Sequence, residues 1–465
     1  MTTDLHFISI TELSEHLRSR KVSSREVTQA QLDRIAALDE ALGSYALVTA
    51  EEAMSAACVA DSEIAAGHYR GPLHGVPIGI KDLFHTKGIA TASGMAIHKD
   101  FRPREDATAV ARLKRAGAVL LGKLQMTEGA YSDHHPSIAP PRNPWNSAYW
   151  PGISSSGPAV ATAAGLCYGV VASDTGGSIR WPCGANGLTG LKPTWGRVSR
   201  YGVFELAASL DHVGPIARST ADAAVLLSVL AGHDANDPTS VAAPVPDYAA
   251  ATLEGVRGLR IGVDWHWIGR GVDASVQAVL ANAVELFARL GAEMVDVRVP
   301  DAAQTVVDWR SACAVEAAVA HEGTYPVRQS EYGPVLASVL ETGRAVSGID
   351  YQKILLRRMA FRGRLEWVFK SIDLLLTPVH PFAPLTLSDI RTLGNQPELI
   401  LKLQRYTAPF NMTGSPTLTL PGGFSDTGLP IGFQLVAGHL SETTLIRSGA
   451  AFQSVTDFHT RHPVD

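Results

Sequence analysis

The sequence predicts an α/β protein folded as one large domain. Three observations carry this. Strand-like runs rich in β-branched residues alternate with amphipathic helical runs from one end to the other. Of 465 residues, 46% are hydrophobic and 18% charged, which suits a sizeable core and argues against disorder. No internal repeat, low-complexity tract or linker divides the chain.

The first 60 residues read as helices. Ser9-Ile10-Thr11-Glu12 and Ser23-Ser24-Arg25-Glu26 each fit a capping box leading into an amphipathic run. From Gly71 the texture changes. The stretch GPLHGVPIGIKD combines Gly and Pro with β-branched residues and predicts a strand and turn meeting at Lys81. A helix is expected over 109–116 and a strand over 118–121. Residues 136–157 are loop-like; 157–169 read as a buried helix and 170–172 as a strand end. Further on, 259–264, 292–299 and 373–378 read as strands, 273–290 as a helix, and 417–420 with 431–436 as a strand pair.

Composition narrows the function classes. Lys plus Arg total 40 against 45 Asp plus Glu, a net charge of −5 with no basic run, so nucleic acid is not an expected partner. The four cysteines, Cys58, Cys167, Cys183 and Cys313, show no C-x-x-C spacing and sit among apolar or small residues. Reduced, buried thiols are expected rather than disulfides or zinc. The start, MTTDLHFISITEL, has no basic segment followed by an apolar run, and the apolar stretch 157–172 is short for a membrane span. A cytoplasmic protein with no membrane partner is the expectation. The sixteen histidines are scattered, and His134-His135 lack ligand-spaced partners, so neither a metal nor a cofactor is expected.

Two segments could carry chemistry: PGISSSGPA (151–159) and SDTGGSIR (173–180). Consecutive glycines let backbone N–H groups approach a substrate and converge on one point, as an oxyanion hole requires. Ser178 follows Gly176-Gly177, where a nucleophile beside its own oxyanion hole would stand. A serine needs a base, yet no histidine lies near either segment, and Arg180 breaks a G-x-S-x-G elbow. Lys81 follows the apolar run VPIGI. It is either desolvated, and so neutral and basic, or paired with a carboxylate such as Asp82. Ordinary readings stand beside these: a lysine after a strand is usually at the surface, GGS is usually a turn, and SSSG usually caps a helix. Two Asp-Thr-Gly triplets, at 174–176 and 426–428, raise an aspartic-protease dyad. The second reads as a hairpin turn, and the long helical runs do not suit an all-β protease.

The ordered series of motifs resembles the amidase signature family. It comprises GVPIGIKD around Lys81, LGKLQMTEGA (121–130), RNPWN (142–146), PGISSSGPA, SDTGGSIRWP (173–182), GLKPTWGRVSRYGV (190–203) and SLDHVGPIARSTADAA (209–224). The match resumes at LLLTPVHP (374–381), TAPFNMTGSPTLTLPGGF (407–424) and GLPIGFQLVAGHLSETTLIR (428–447), and so covers nearly the whole chain. The resemblance implies a single domain over 1–465, with a large mixed, twisted β-sheet flanked by helices on both faces. It places a helical segment at 1–60, the catalytic core at 71–215 and a variable substrate-binding segment at 300–370. It implies a Lys81–Ser154–Ser178 triad in which Ser154 follows a cis peptide bond. The N–H groups of Thr175, Gly176, Gly177 and Ser178 match the oxyanion loop, and Ser155 matches a supporting serine. Asp174 and Arg180 read as residues that fix the loop. Two departures stand out: Ile153 replaces the family's usual Gly before the bridging serine, and Pro158 follows the SSSG run. Pro suits a first helical turn.

The expected reaction is hydrolysis of a carboxamide through a Ser178 acyl-enzyme. Tyr131, Ile153 and Trp181 would line an apolar site for hydrophobic or aryl amides, with esters and carbamates (urethanes) open to the same machinery. Trp309 and the run 321–325 are further candidates for the pocket. Two rivals remain. One is the glutamine-hydrolysing amidase subunit of a tRNA-dependent amidotransferase, although Trp181 stands where that subgroup typically has glutamine. The other is a non-enzymatic binding or scaffold protein. The small-molecule substrate is the expected partner, and a homo-oligomer is compatible with the chain.

Overall fold

The computed structural model describes residues 5–393 and 396–463. Eleven strands form one sheet: β1 (Tyr45–Val48), β2 (Pro77–Lys81), β3 (Val119–Leu124), β4 (Gly169–Asp174), β5 (Thr189–Lys192), β6 (His212–Ala217), β7 (Arg260–Val263), β8 (Glu293–Asp296), β9 (Leu374–Pro378), β10 (Thr417–Phe424) and β11 (Pro430–Ala437). Their order is β1-β3-β2-β4-β6-β5-β10-β11-β9-β7-β8. β3, β2 and β4 run parallel, as do β9, β7 and β8. The strands between them pair antiparallel. This is the mixed, twisted, helix-flanked sheet expected.

Local chemistry explains the elements. Ser9 accepts the Glu12 N–H at 3.0 Å, and Ser23 with Glu26 closes a complete capping box ahead of helix Ser24–Leu42. β2 and β4 are buried along their whole length, so they read as near-continuous apolar runs rather than alternating ones. Boundaries move where tertiary pairing decides them. The strand expected over 292–299 stops at Asp296 because its partner β7 stops opposite, at Val263, where Asp264 caps the next helix. The strand of 118–121 extends to Leu124 because both β2 and β1 pair with it. The helix of 157–169 is shorter, Ser156–Ala163, and Pro158 lies in its first turn. Asp426-Thr427-Gly428 is the exposed turn between β10 and β11, while Asp174 is buried, so the two triplets form no dyad. Cys167, Cys183 and Cys313 are buried, but Cys58 is exposed on helix Ala50–Ala65, which corrects the expectation of four buried thiols. Among the described residues, no helix is long and apolar enough to cross a membrane.

Candidate active site

The C-terminal ends of the parallel neighbours β2 and β4 carry Lys81 and the segment starting at Ser173. Lys81 is fully buried. Its Nζ donates to Ser154 Oγ at 2.8 Å and to Ser173 Oγ at 2.9 Å. One residue on, Asp82 turns to Lys123, whose Nζ lies 3.3 Å from its carboxylate and also donates to Thr91 Oγ1 and the Phe84 carbonyl. The choice left open by the sequence is thereby settled: Asp82 is taken, and Lys81 is a desolvated amine among hydroxyls. Burial lowers its pKa from 10.5 to about 7, against the opposing pull of Asp174 and Asp211. A large share of Lys81 is therefore neutral at pH 7.

The serine run spreads onto separate partners. The Ile153–Ser154 peptide is cis. Ser155 Oγ donates to the Ser173 carbonyl at 3.3 Å, and Ser156 Oγ lies 3.2 Å from His134 Nε2. Ser178 lies just beyond β4, with 7% of its surface exposed. Its hydroxyl has no hydrogen-bond partner among the described residues, so the Ser154–Ser178 link of the expected relay is not closed in this structure.

Two carboxylates hold the loop between β4 and helix Arg180–Asn186. Asp174 accepts the N–H groups of Gly177 (2.9 Å) and Ile179 (3.0 Å), and the Arg180 guanidinium at 2.8 and 3.0 Å. Burial pushes the Asp174 carboxyl up, but Arg180, Lys192 and Asn411 together outweigh it and hold the group well below the usual carboxylate range. Arg180 also reaches Asn411 Oδ1 (2.5 Å) and the Thr407 carbonyl (3.0 Å), locking the loop to a distant segment. Thr175 donates its hydroxyl to Asp211 at 2.5 Å, and its carbonyl accepts Trp309 Nε1–H at 2.8 Å. A Cβ on Gly176 would meet Trp309 at 2.3 Å, and one on Gly177 would meet Trp181 at 2.7 Å. Both glycines are demanded by rings packed on the loop. Of the four amides expected to face an oxyanion, the Gly177 N–H is instead directed at Asp174. The amides of Thr175, Gly176 and Ser178 have no backbone partner among the described residues.

A cleft of about 470 Å³ opens beside the cis peptide. Its walls include Ile153, Trp150, Ile390, Leu387, Pro334 and His134. Trp181 does not line it directly. It stands behind Trp150, ring centroids 6.2 Å apart, in an apolar cluster that Ile153 joins. Tyr131 is also off the wall: it is half-buried against the main core, and its carbonyl accepts Thr127 Oγ1–H. Trp309 serves the glycine loop, and His321 pairs with Tyr332. Sequence reasoning passed over Ser173, Asp211, Asn411 and Trp150. The first three lie inside quoted motifs, but only their partners in space reveal what they hold.

A buried lysine bonded to a serine, beneath a clamped glycine loop on a mixed sheet, defines a class: the serine hydrolases that act on amide C–N bonds. The sequence profile of the Amidase family matches residues 26–446, and the chain belongs to that family. It is 50% identical over 456 residues to "Putative amidase AmiD" of Mycobacterium tuberculosis (strain ATCC 25618 / H37Rv), covering 98% of this chain and 96% of that protein. It is 38% identical over 484 residues to a glutamyl-tRNA(Gln) amidotransferase subunit of Geobacter metallireducens, covering 98% of this chain and 99% of that one. Among solved structures, a bacterial aryl acylamidase of the amidase signature family superposes with a TM-score of 0.88 at 26% identity, covering 99% of this chain and 100% of that one.

Proposed function

We propose that this protein hydrolyses hydrophobic or aryl amides through an acyl-enzyme on Ser178, with Lys81 as the final proton acceptor and Ser154 as the bridge. The observation that carries the reading is the 2.8 Å hydrogen bond between a desolvated Lys81 and Ser154. Neutral Lys81 takes a proton from Ser154, Ser154 takes one from Ser178, and Ser178 Oγ attacks the carbonyl carbon. The amides of Thr175, Gly176 and Ser178 receive the developing oxyanion. The relay returns the proton to the leaving nitrogen as the C–N bond breaks, and water then releases the acid. The open Ser154–Ser178 link is one that bound substrate closes, since catalytic hydrogen bonds tighten in the substrate complex. Ile153 and Trp150 on the cleft wall favour an apolar or aromatic acyl group. Ester and carbamate carbonyls meet the same atoms.

A panel of aryl amides, primary amides, esters and carbamates, assayed with wild type and Ser178→Ala, tests this. Wild type is expected to favour aryl amides, with Ser178→Ala slower by ~10³-fold or more. A fluorophosphonate probe should label Ser178. The value of kcat/KM should rise as pH increases through about 7, because the working form of Lys81 is the neutral one. Full activity in Lys81→Ala overturns the mechanism. Glutamine as the preferred substrate would favour the amidotransferase reading, which the 38% identical relative supports and the apolar cleft opposes.

A further inference from the structure

We propose that Asp211 is a positioning residue for this reaction: it fixes the first residue of the glycine loop through Thr175 and holds negative charge behind Lys81. The inference rests on the hydrolase reading above and adds a residue to it. Asp211 is 6% exposed and precedes β6, which pairs antiparallel with β4 so that Asp174 lies opposite His212. One carboxylate oxygen takes the Thr175 hydroxyl at 2.5 Å; the other takes the N–H groups of Leu206 and Ala207 at 3.0 and 3.1 Å. Thr175 is thus gripped at its hydroxyl by Asp211 and at its carbonyl by Trp309, two contacts that fix the orientation of its peptide group. Asp211 has no ion-pair partner among the described residues, whereas Asp174 is neutralised by Arg180.

The groups facing Asp211 come from three elements: Arg200 from the loop before β6, Lys81 at the end of β2, and Cys313 on helix Ala303–Ala320. Arg200 makes its ion pair with Glu205. Ser173, Thr175 and Asp211 also share the wall of one small enclosed cavity, so the carboxylate and the Lys81-bonded serine lie on a common space. Burial pushes the Asp211 carboxyl up to about 7, against the pull of Thr175 and Arg200. It therefore gains charge over the range in which Lys81 loses its proton. Negative charge there favours protonated Lys81, so removing it lowers the lysine's pKa.

Three variants separate grip from charge, assayed on an aryl amide across pH. Asp211→Asn should lower kcat by ~10-fold or more with KM nearly unchanged, and should move the acid limb of kcat/KM to lower pH by ~0.5 unit or more. Thr175→Val loses the grip and, with it, a hydrogen bond that favours the charged carboxylate, so kcat should fall while the limb moves to lower pH by less than in Asp211→Asn. Thr175→Ser should restore wild-type kcat. Wild-type kcat in Thr175→Val overturns the grip, and an unmoved limb in Asp211→Asn overturns the charge effect. If Asp211→Asn does not fold, the Thr175 pair still decides the grip, and Asp211→Glu, which keeps the charge, should leave the limb in place; a shifted limb there overturns the charge effect. A wild-type protein that neither turns over amides nor takes the fluorophosphonate label overturns the hydrolase reading itself. An active wild type with unaffected variants overturns only the role of Asp211.

Discussion

Two buried lysines stand one register step apart on adjacent parallel strands, Lys123 opposite Ile80 and Lys81 opposite Leu124, and their neighbours give them different environments. Lys123 faces a carboxylate, Asp82, at 3.3 Å, and burial lowers it to about 8. Lys81 donates only to the hydroxyls of Ser154 and Ser173, with Asp174 and Asp211 acting on it without an ion pair, and burial takes it to about 7. A lysine without a carboxylate at hand is the one able to accept a proton near neutrality. This difference makes a prediction at the residue scale. Asp82→Asn leaves the Lys123 charge buried without its partner, and breaking a buried pair costs about 3–5 kcal/mol. Urea denaturation should show that loss. The acid limb of kcat/KM should nevertheless remain near pH 7, because Asp82 is not the partner of Lys81. A limb displaced by a full unit would return Asp82 to the site.

At the scale of the element, the loop 174–178 works because three remote segments and the helix that follows it close on it. Asp211 and Trp309 hold Thr175, Asn411 braces Arg180, and Trp181 packs on Gly177. Gly176 is the most exacting position. Its missing Cβ would stand 2.3 Å from the Trp309 ring, and that ring cannot swing away without losing its bond to the Thr175 carbonyl. Gly176→Ala is therefore expected to shift the loop and lower kcat by ~10²-fold, with KM changing far less. The melting temperature should fall only by the amount an overpacked site produces, about 1–3 kcal/mol in stability. Loss of binding with kcat intact would place the loop outside the chemistry. The loop also marks where the sequence is legible and where it is not. Gly176, Gly177 and Ser178 stand out locally, because consecutive glycines before a serine carry their own physical meaning. Asn411 does not, and Trp309 suggests only a pocket wall, because nothing in their own stretches of chain encodes a partner at the end of β4 or in the loop after it. The same division holds for the strands. Their existence follows from runs of apolar residues, whereas their ends follow from where a neighbouring strand stops, as at Val263 and Asp296.

At the scale of the molecule, the site lies where the carboxyl ends of parallel strands open beside a change of strand direction, the region open α/β sheets use for ligands. Interior position is what lowers the pKa of Lys81, because β2 is flanked by β3 and β4 and buried along its length. The same burial weakens the fold, and linkage gives the size and sign. Unfolded, the Lys81 amine titrates near 10.5; folded, at about 7. Above pH 10.5 both states are neutral and nothing is lost. Between about 10.5 and 7 the unfolded chain holds a proton that the native state lacks, so native stability falls by about 1.4 kcal/mol for each unit of decreasing pH. The deficit reaches about 5 kcal/mol near neutrality and stays constant below the folded pKa, where both states are protonated. Methionine fills a similar volume and carries no charge, though it leaves Ser154 and Ser173 without the amine. Lys81→Met should therefore be catalytically inert yet more stable than wild type near pH 7, by ~1–4 kcal/mol once the lost hydrogen bonds are allowed for. The advantage should shrink steadily as pH is raised. Urea titrations of both proteins at about pH 7, 8.5 and 10 would measure it. A gap that does not narrow with rising pH would mean that Lys81 keeps its proton in the folded state and cannot be the base.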